Sequence, residues 1–122
     1  MKVGDYVRTK SYGIKKINGF SSTLEEDFID CDYDKYQRVL INKKEIIKSS
    51  PNIIDLIEVG DYVNGCRIQE LVTGLNGEIY LETELTEFDN VYACGNINIY
   101  EKDIKSIVTK ESFKSMEYKV GE

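Results

Sequence analysis

Apolar and polar residues alternate over short stretches of this chain, the pattern of strands with one buried and one solvated face. Residues 5–10 set Tyr6 and Arg8 on one face and Val7 and Thr9 on the other. A turn at Ser11-Tyr12-Gly13 leads to a second short strand, residues 14–17, which the Asn18-Gly19 pair is expected to end because both residues tolerate positive φ. Residues 28–33 alternate most clearly, with Ile29, Cys31 and Tyr33 opposite Asp30 and Asp32. Asp34-Lys35 predicts a hairpin into residues 36–41, and Ile46-Ile47 a last strand. Ser50 then fits an N-cap and Pro51 a first helical position, so a short helix is expected over 51–56.

The same order returns in the second half. Asp61-Tyr62-Val63 is followed by a strand over 66–72, a turn from Gly74 to Gly77 and an alternating stretch over 78–85. A polar loop over 86–90 precedes a strand over 91–94, with Gly95 a bulge or kink before residues 97–100. Residues 44–48 answer to 102–106, and Thr109 is placed like Ser50 to cap a helix over 110–116. Val3-Gly4-Asp5 recurs as Val59-Gly60-Asp61 and, softened, as Val120-Gly121-Glu122. The spacing, 56 residues from Gly4 to Gly60 and 61 from Gly60 to Gly121, marks a tandem repeat of one supersecondary unit. Its glycine permits a turn into the first strand and its aspartate accepts a local backbone hydrogen bond. The expected fold is therefore mainly β, with two tandem small β-barrel units of the SH3 type, over 1–57 and 58–122, each followed by a short helix. Closure is what removes exposed strand edges.

Composition narrows the function classes. The 122 residues carry a formal net charge of −6, which argues against a general binder of phosphate backbones. There is no histidine, and no catalytic constellation stands out. The three cysteines, Cys31, Cys66 and Cys94, are odd in number and widely spaced, so they are expected to be small buried hydrophobes in a reducing compartment, without zinc or a disulfide framework. No apolar run reaches membrane-span length and the start lacks a signal-peptide pattern, so the expected location is cytoplasmic. Neither cofactor nor metal is expected. Asp30-x-Asp32-x-Asp34 does not fit a calcium loop, because Lys35 stands where glycine is needed and Ile41 where a bidentate glutamate is needed.

The opening Val3-Gly4-Asp5-Tyr6-Val7-Arg8-Thr9-Lys10, with Gly13-Ile14-Lys15-Lys16-Ile17 after it, resembles the start of SH3-like and KOW-type barrels. Over nearly the whole chain, the stretches from Ser49 to Gly65 and from Ile104 to Val120 resemble a family of small uncharacterised phage and prophage proteins of low-GC Gram-positive bacteria. That resemblance implies a mobile-element accessory protein acting in the cytoplasm of an infected host, and the family supplies no catalytic residues. Small acidic proteins of such origin include inhibitors of host defence, anti-CRISPR proteins among them.

Three residue sets are candidates for contact. The first is acidic: Glu25, Glu26, Asp27, Asp30, Asp32 and Asp34 in the first unit, with Glu82, Glu84, Glu87 and Asp89 in the second. Alternate carboxylates along a strand lie about 6.6 Å apart, a spacing suited to imitating a nucleic-acid backbone in the positive groove of a defence nuclease or effector. Their plainer role is a solvated strand face. The second set is tyrosine, with Tyr12 and Tyr36 the expected exposed positions, as tyrosine contributes area and a hydroxyl at an interface. The third is basic: Arg8, Lys10, Lys15, Lys16 and Arg38 beside Tyr12, which would suit a nucleic acid or an anionic nucleotide signal. The leading expectation is a non-enzymatic protein that binds and inhibits a host defence component through the acidic strands and Tyr36. Nucleic-acid binding and nucleotide sequestration, the latter between the repeats or across a homodimer, are the alternatives.

Overall fold

The computed structural model describes residues 1–33, 36–84, 98–112 and 116–120. The chain divides into two compact units, Met1–Leu56 and Ile57–Glu122. In the first, β1 (Tyr6–Thr9), β2 (Gly13–Ser22), β3 (Asp27–Asp32), β4 (Arg38–Asn42) and β5 (Ile46–Ser50) form one antiparallel sheet in the order β4-β3-β2-β1-β5. Val7, Ile17, Ile29, Cys31 and Ile41 are the buried alternate residues of these strands, with Tyr12, Val39 and Ile46 packed against them. This placement follows from the period-two pattern of the sequence.

The Asn18-Gly19 pair does not end a strand. β2 runs through it, pairing with β1 up to Lys16 and with β3 from Ile17 onward, and the register shifts between Ile17 and Gly19. The extra residue of that bulge bends the strand from one partner toward the next. Asn18 uses its amide to donate to Asp32 Oδ1 at 2.8 Å.

Ser50 caps as expected, its Oγ accepting from Asn52 N at 3.0 Å and donating to Asp55 Oδ2 at 2.7 Å. The capped segment is a 3₁₀ turn, Ile53–Leu56, rather than an α-helix over 51–56. Six residues cannot repay helix nucleation, and Ile53, Ile54 and Leu56 are buried by folding back tightly. A second correction concerns closure: among the described residues pairing stops at β4 and β5, so the sheet is open and no closed barrel forms.

The second unit contains β6 (Tyr62–Val63), β7 (Cys66–Thr73), β8 (Ile79–Thr83), β9 (Asn98–Tyr100), β10 (Ser106–Val108) and β11 (Tyr118–Lys119), in the order β11-β10-β6-β7-β8-β9. Apart from β11 this is the order of the first unit. The registers match residue by residue: Tyr6↔Lys16 answers to Tyr62↔Arg67, Asp30↔Leu40 to Glu82↔Asn98, and Val7↔Ser49 to Val63↔Ile107. The β7–β8 pairing shifts between Ile68 and Glu70, as β2–β3 does between Ile17 and Gly19. A 3₁₀ turn, Glu101–Asp103, stands where Lys43–Glu45 stands in the first unit.

Val-Gly-Asp performs the same task twice. Gly4 and Gly60 adopt φ of +94° and +99°, a left-handed conformation that glycine enters without steric cost. Their amides donate to Ile17 O at 2.8 Å and Ile68 O at 2.9 Å, and the Asp5 and Asp61 carbonyls each accept from those same isoleucines at 2.8 Å. The carboxylates close the turn, Asp5 on Lys2 N at 3.0 Å and Asp61 on Glu58 N at 2.7 Å.

The loop over 86–90, the strand over 91–94 and Gly95 lie outside the described residues. So do residues 113–115, which leaves of the 110–116 helix a turn in which Ser112 N donates to Thr109 O at 3.0 Å. The cysteine expectation needs correction: Cys31 is free and buried, but Cys66 is disulfide-bonded.

Candidate functional site

The β3–β4 hairpin brings together two of the first unit's acidic candidates, Asp30 and Asp32. Asp30 and Asp32 leave the face of β3 opposite to Ile29 and Cys31, which are buried. On β4, Arg38 and Leu40 sit opposite Asp32 and Asp30. Arg38 bridges the two carboxylates, Nη1 at 3.3 Å from Asp30 Oδ2 and Nε at 3.8 Å from Asp32 Oδ1. The stripe is thus a ladder of two acids around one guanidinium, anchored by Asn18 on Asp32. Exposed pairs of this kind contribute about 0–1 kcal/mol to stability, so the ladder organises the surface more than it holds the fold.

Two large side chains flank it. Tyr36, in the connection between β3 and β4, is 88% exposed, and Leu40 is 55% exposed on the outward phase of β4. Sequence reasoning does not single out Leu40, although the alternation Arg38, Leu40, Asn42 against buried Ile41 marks it as outward-facing. Phe20 is another exposed apolar residue, covered by Lys43 Nζ at 5.4 Å from its ring.

The other acidic candidates do not join this surface. Glu26 turns back on its own unit, accepting from Asn42 Nδ2 at 2.9 Å and lying 3.6 Å from Lys44 Nζ. Glu25 and Asp27 are exposed, Glu25 in the β2–β3 connection and Asp27 at the start of β3. In the second unit Glu84 pairs with Arg67 at 3.0 Å, and Glu82 faces Glu70 and Asn98 across the strands. Asp34, Glu87 and Asp89 lie outside the described residues.

The basic set is divided by burial. Arg8 is fully buried, its Nη1 donating to Leu56 O at 2.9 Å, and Lys15 is 5% exposed with Nζ 5.5 Å from the Tyr33 ring. Lys10, Lys16 and Arg38 are exposed, while Tyr12 is half-buried against the core. The expectation that Arg8, Lys15 and Tyr12 present a common basic-aromatic face is therefore corrected. Alternation places Arg8 outward, and burial of both sides of β1 defeats that rule. Lys16 lies 5.7 Å from the Tyr6 ring and stays solvated.

Cys31 sits directly beneath the acid ladder. Burial pushes its thiol up to about 12, Lys15 draws it partly back, and Asp30 and Asp32 raise it further. A thiol so held stays protonated and is a poor nucleophile at neutral pH. Among the described residues no helix is long and apolar enough to cross a membrane. Compared with protein-family models, curated proteins and solved structures, the chain matches none.

Proposed function

We propose that the chain is a non-enzymatic protein-binding module and, on its phage-like sequence resemblance, an accessory protein that inhibits a component of host anti-phage defence. One observation carries the binding reading: Tyr36, 88% exposed, stands on the same hairpin as the Asp30–Arg38–Asp32 ladder and exposed Leu40. An aromatic anchor, an aliphatic neighbour and a preorganised charge pattern are the components of an interface hot spot. SH3-like character of the units belongs to the same proposal, supported by the return of β5 onto β1 and of β10 onto β6, each after a 3₁₀ turn. Nucleic-acid or nucleotide binding is the weaker reading, because two of its cations, Arg8 and Lys15, are buried.

The test is affinity capture from a lysate of a low-GC Gram-positive bacterium with the wild-type chain and with Tyr36→Ala and Asp30→Lys. A partner retained in stoichiometric amount by the wild type and at least about tenfold less by both variants, with unchanged urea midpoints, is the expected result. Undiminished capture by the variants, or salt-sensitive binding of single-stranded or duplex DNA in its place, would sink the proposal.

A further inference from the structure

The two sheets differ at one edge. In the second unit the outer side of β10 is covered by β11, with Ser106 opposite Lys119, Ile107 opposite Tyr118, and Val120 N donating to Lys105 O at 2.8 Å. In the first unit the equivalent strand is β5, and the sheet ends there. Ser49 faces Val7 as Ile107 faces Val63, so Ile47, Lys48 and Ser49 occupy the places of Lys105, Ser106 and Ile107.

The antiparallel ladder fixes which backbone groups point outward. Asn64 N donates to Ser106 O, so Ser106 bonds toward β6 while Ile107 and the carbonyl of Lys105 bond toward β11; the Lys105 N–H turns inward onto Asn64 Oδ1 at 2.7 Å. By the same alternation Lys48 bonds toward Arg8 and Ser49 aims its N–H and C=O groups away from the sheet, while Ile47 is the extra residue of the bulge at which the β1–β5 register shifts and takes the place of Lys105, whose C=O alone bonds outward. Among the described residues no strand pairs with β5 on the side away from β1, and the side chains of Ile47, Lys48 and Ser49 are exposed.

We infer that this edge is a strand-addition site, taking an extended segment of a partner protein antiparallel to Ile47–Ser49, with an acidic side chain opposite Lys48. The fold already contains the occupied form in β10–β11. Charge then selects the occupant. A strand identical to β11 would set a lysine, the counterpart of Lys119, opposite Lys48, and like charges directly opposite are destabilising. A second copy pairing β5 with β5, with outward groups matched between Ile47 and Ser49, would set Lys48 opposite Lys48. Lysine on an open edge thus deters self-association and admits an acidic strand. This edge shares no residue with the β3–β4 hairpin, so the two proposals fail separately.

The test titrates the isotope-labelled full chain with capped peptides of residues 116–120, one carrying Lys119→Glu and one unsubstituted. The amide of Ser49 is expected to shift saturably at millimolar peptide and to exchange more slowly with solvent. The Lys119→Glu peptide is expected to bind about two- to fivefold more tightly, and Lys48→Glu in the protein to reverse that order. Absence of a shift at Ser49, or shifts confined to Ser106 and Ile107 through displacement of β11, overturns the site. Equal affinity of the two peptides overturns the acidic occupant. Concentration-dependent shifts at Ser49 without peptide assign the edge to a second copy and overturn it as well.

Discussion

Asp5 and Asp61 show how one residue in one motif acquires two energetic weights. Both carboxylates close the Val-Gly-Asp turn, but Asp61 is fully buried and also accepts from Lys110 N at 2.9 Å, whereas Asp5 is half-exposed. Removing Asp61 leaves two part-buried amide donors without their carboxylate and a space in the interior, so Asp61→Ala is expected to cost about 2–4 kcal/mol and Asp5→Ala about 1 kcal/mol or less, read from urea denaturation. Equal losses would refute the assignment. Cys31 supplies a pH dependence. Its folded pKa lies above the ordinary thiol value of 9.0, so its contribution is complete below about pH 9 and is lost as pH rises toward 12. The wild-type urea midpoint should therefore fall more steeply between about pH 8 and about pH 10.5 than that of Cys31→Ala. A parallel decline would show that the thiol stays equally protonated in both states.

At the level of elements, the first hairpin of each unit reaches the same register by different turns. The first unit uses a longer connection from Thr9 to Gly13, while the second uses Asn64-Gly65, with φ of +54° and +81°. Positive φ at both positions is the type I′ requirement that Asn-Gly meets. Asn64 is also a clamp: its Nδ2 donates to Asp103 O at 2.9 Å, and its Oδ1 accepts from Lys105 N at 2.7 Å and Ser106 N at 3.1 Å. Asn64→Gly keeps the turn and loses the clamp, at an expected cost of about 1–2 kcal/mol. Asn64→Val loses both and should cost about 1 kcal/mol more by thermal melting. Asn18-Gly19 explains where sequence legibility stops. Dipeptide chemistry names the residues that tolerate positive φ, but whether they turn depends on the partner strand, and β3 makes this pair a bulge. Strand phases at Ile29, Cys31 and Ile41 were legible because one face is buried and the other wet. Arg8 and Lys15 were not, since nothing local announces a buried cation. The outward acids were visible as residues, but their clamp by Arg38 depends on the β3–β4 register.

At the scale of the molecule, the repeat predicts how cooperativity is distributed. Each sheet is built from the strands of a single unit, and Ile17 and Ile68 occupy the same register position in their respective sheets. Both are 1% exposed, so truncation leaves comparable cavities, with an expected loss of about 2–4 kcal/mol in each case. Units of this size hold little stability in reserve, and such a loss consumes much of what one of them has. Hydrogen exchange followed by mass spectrometry separates two outcomes. If each unit is its own cooperative block, Ile17→Ala should raise exchange across β1–β5 while β6–β8 retain protection, and Ile68→Ala should do the reverse. If both substitutions deprotect both sheets equally, the chain opens as one block and the repeat is structural without being energetic. The separable outcome is expected, because the bonds that close each Val-Gly-Asp turn and the strand pairings of each sheet begin and end within one unit. It would also let a partner strand stabilise the first unit at β5 while leaving exchange in the second unchanged, which ties the cooperativity measurement directly to the open edge.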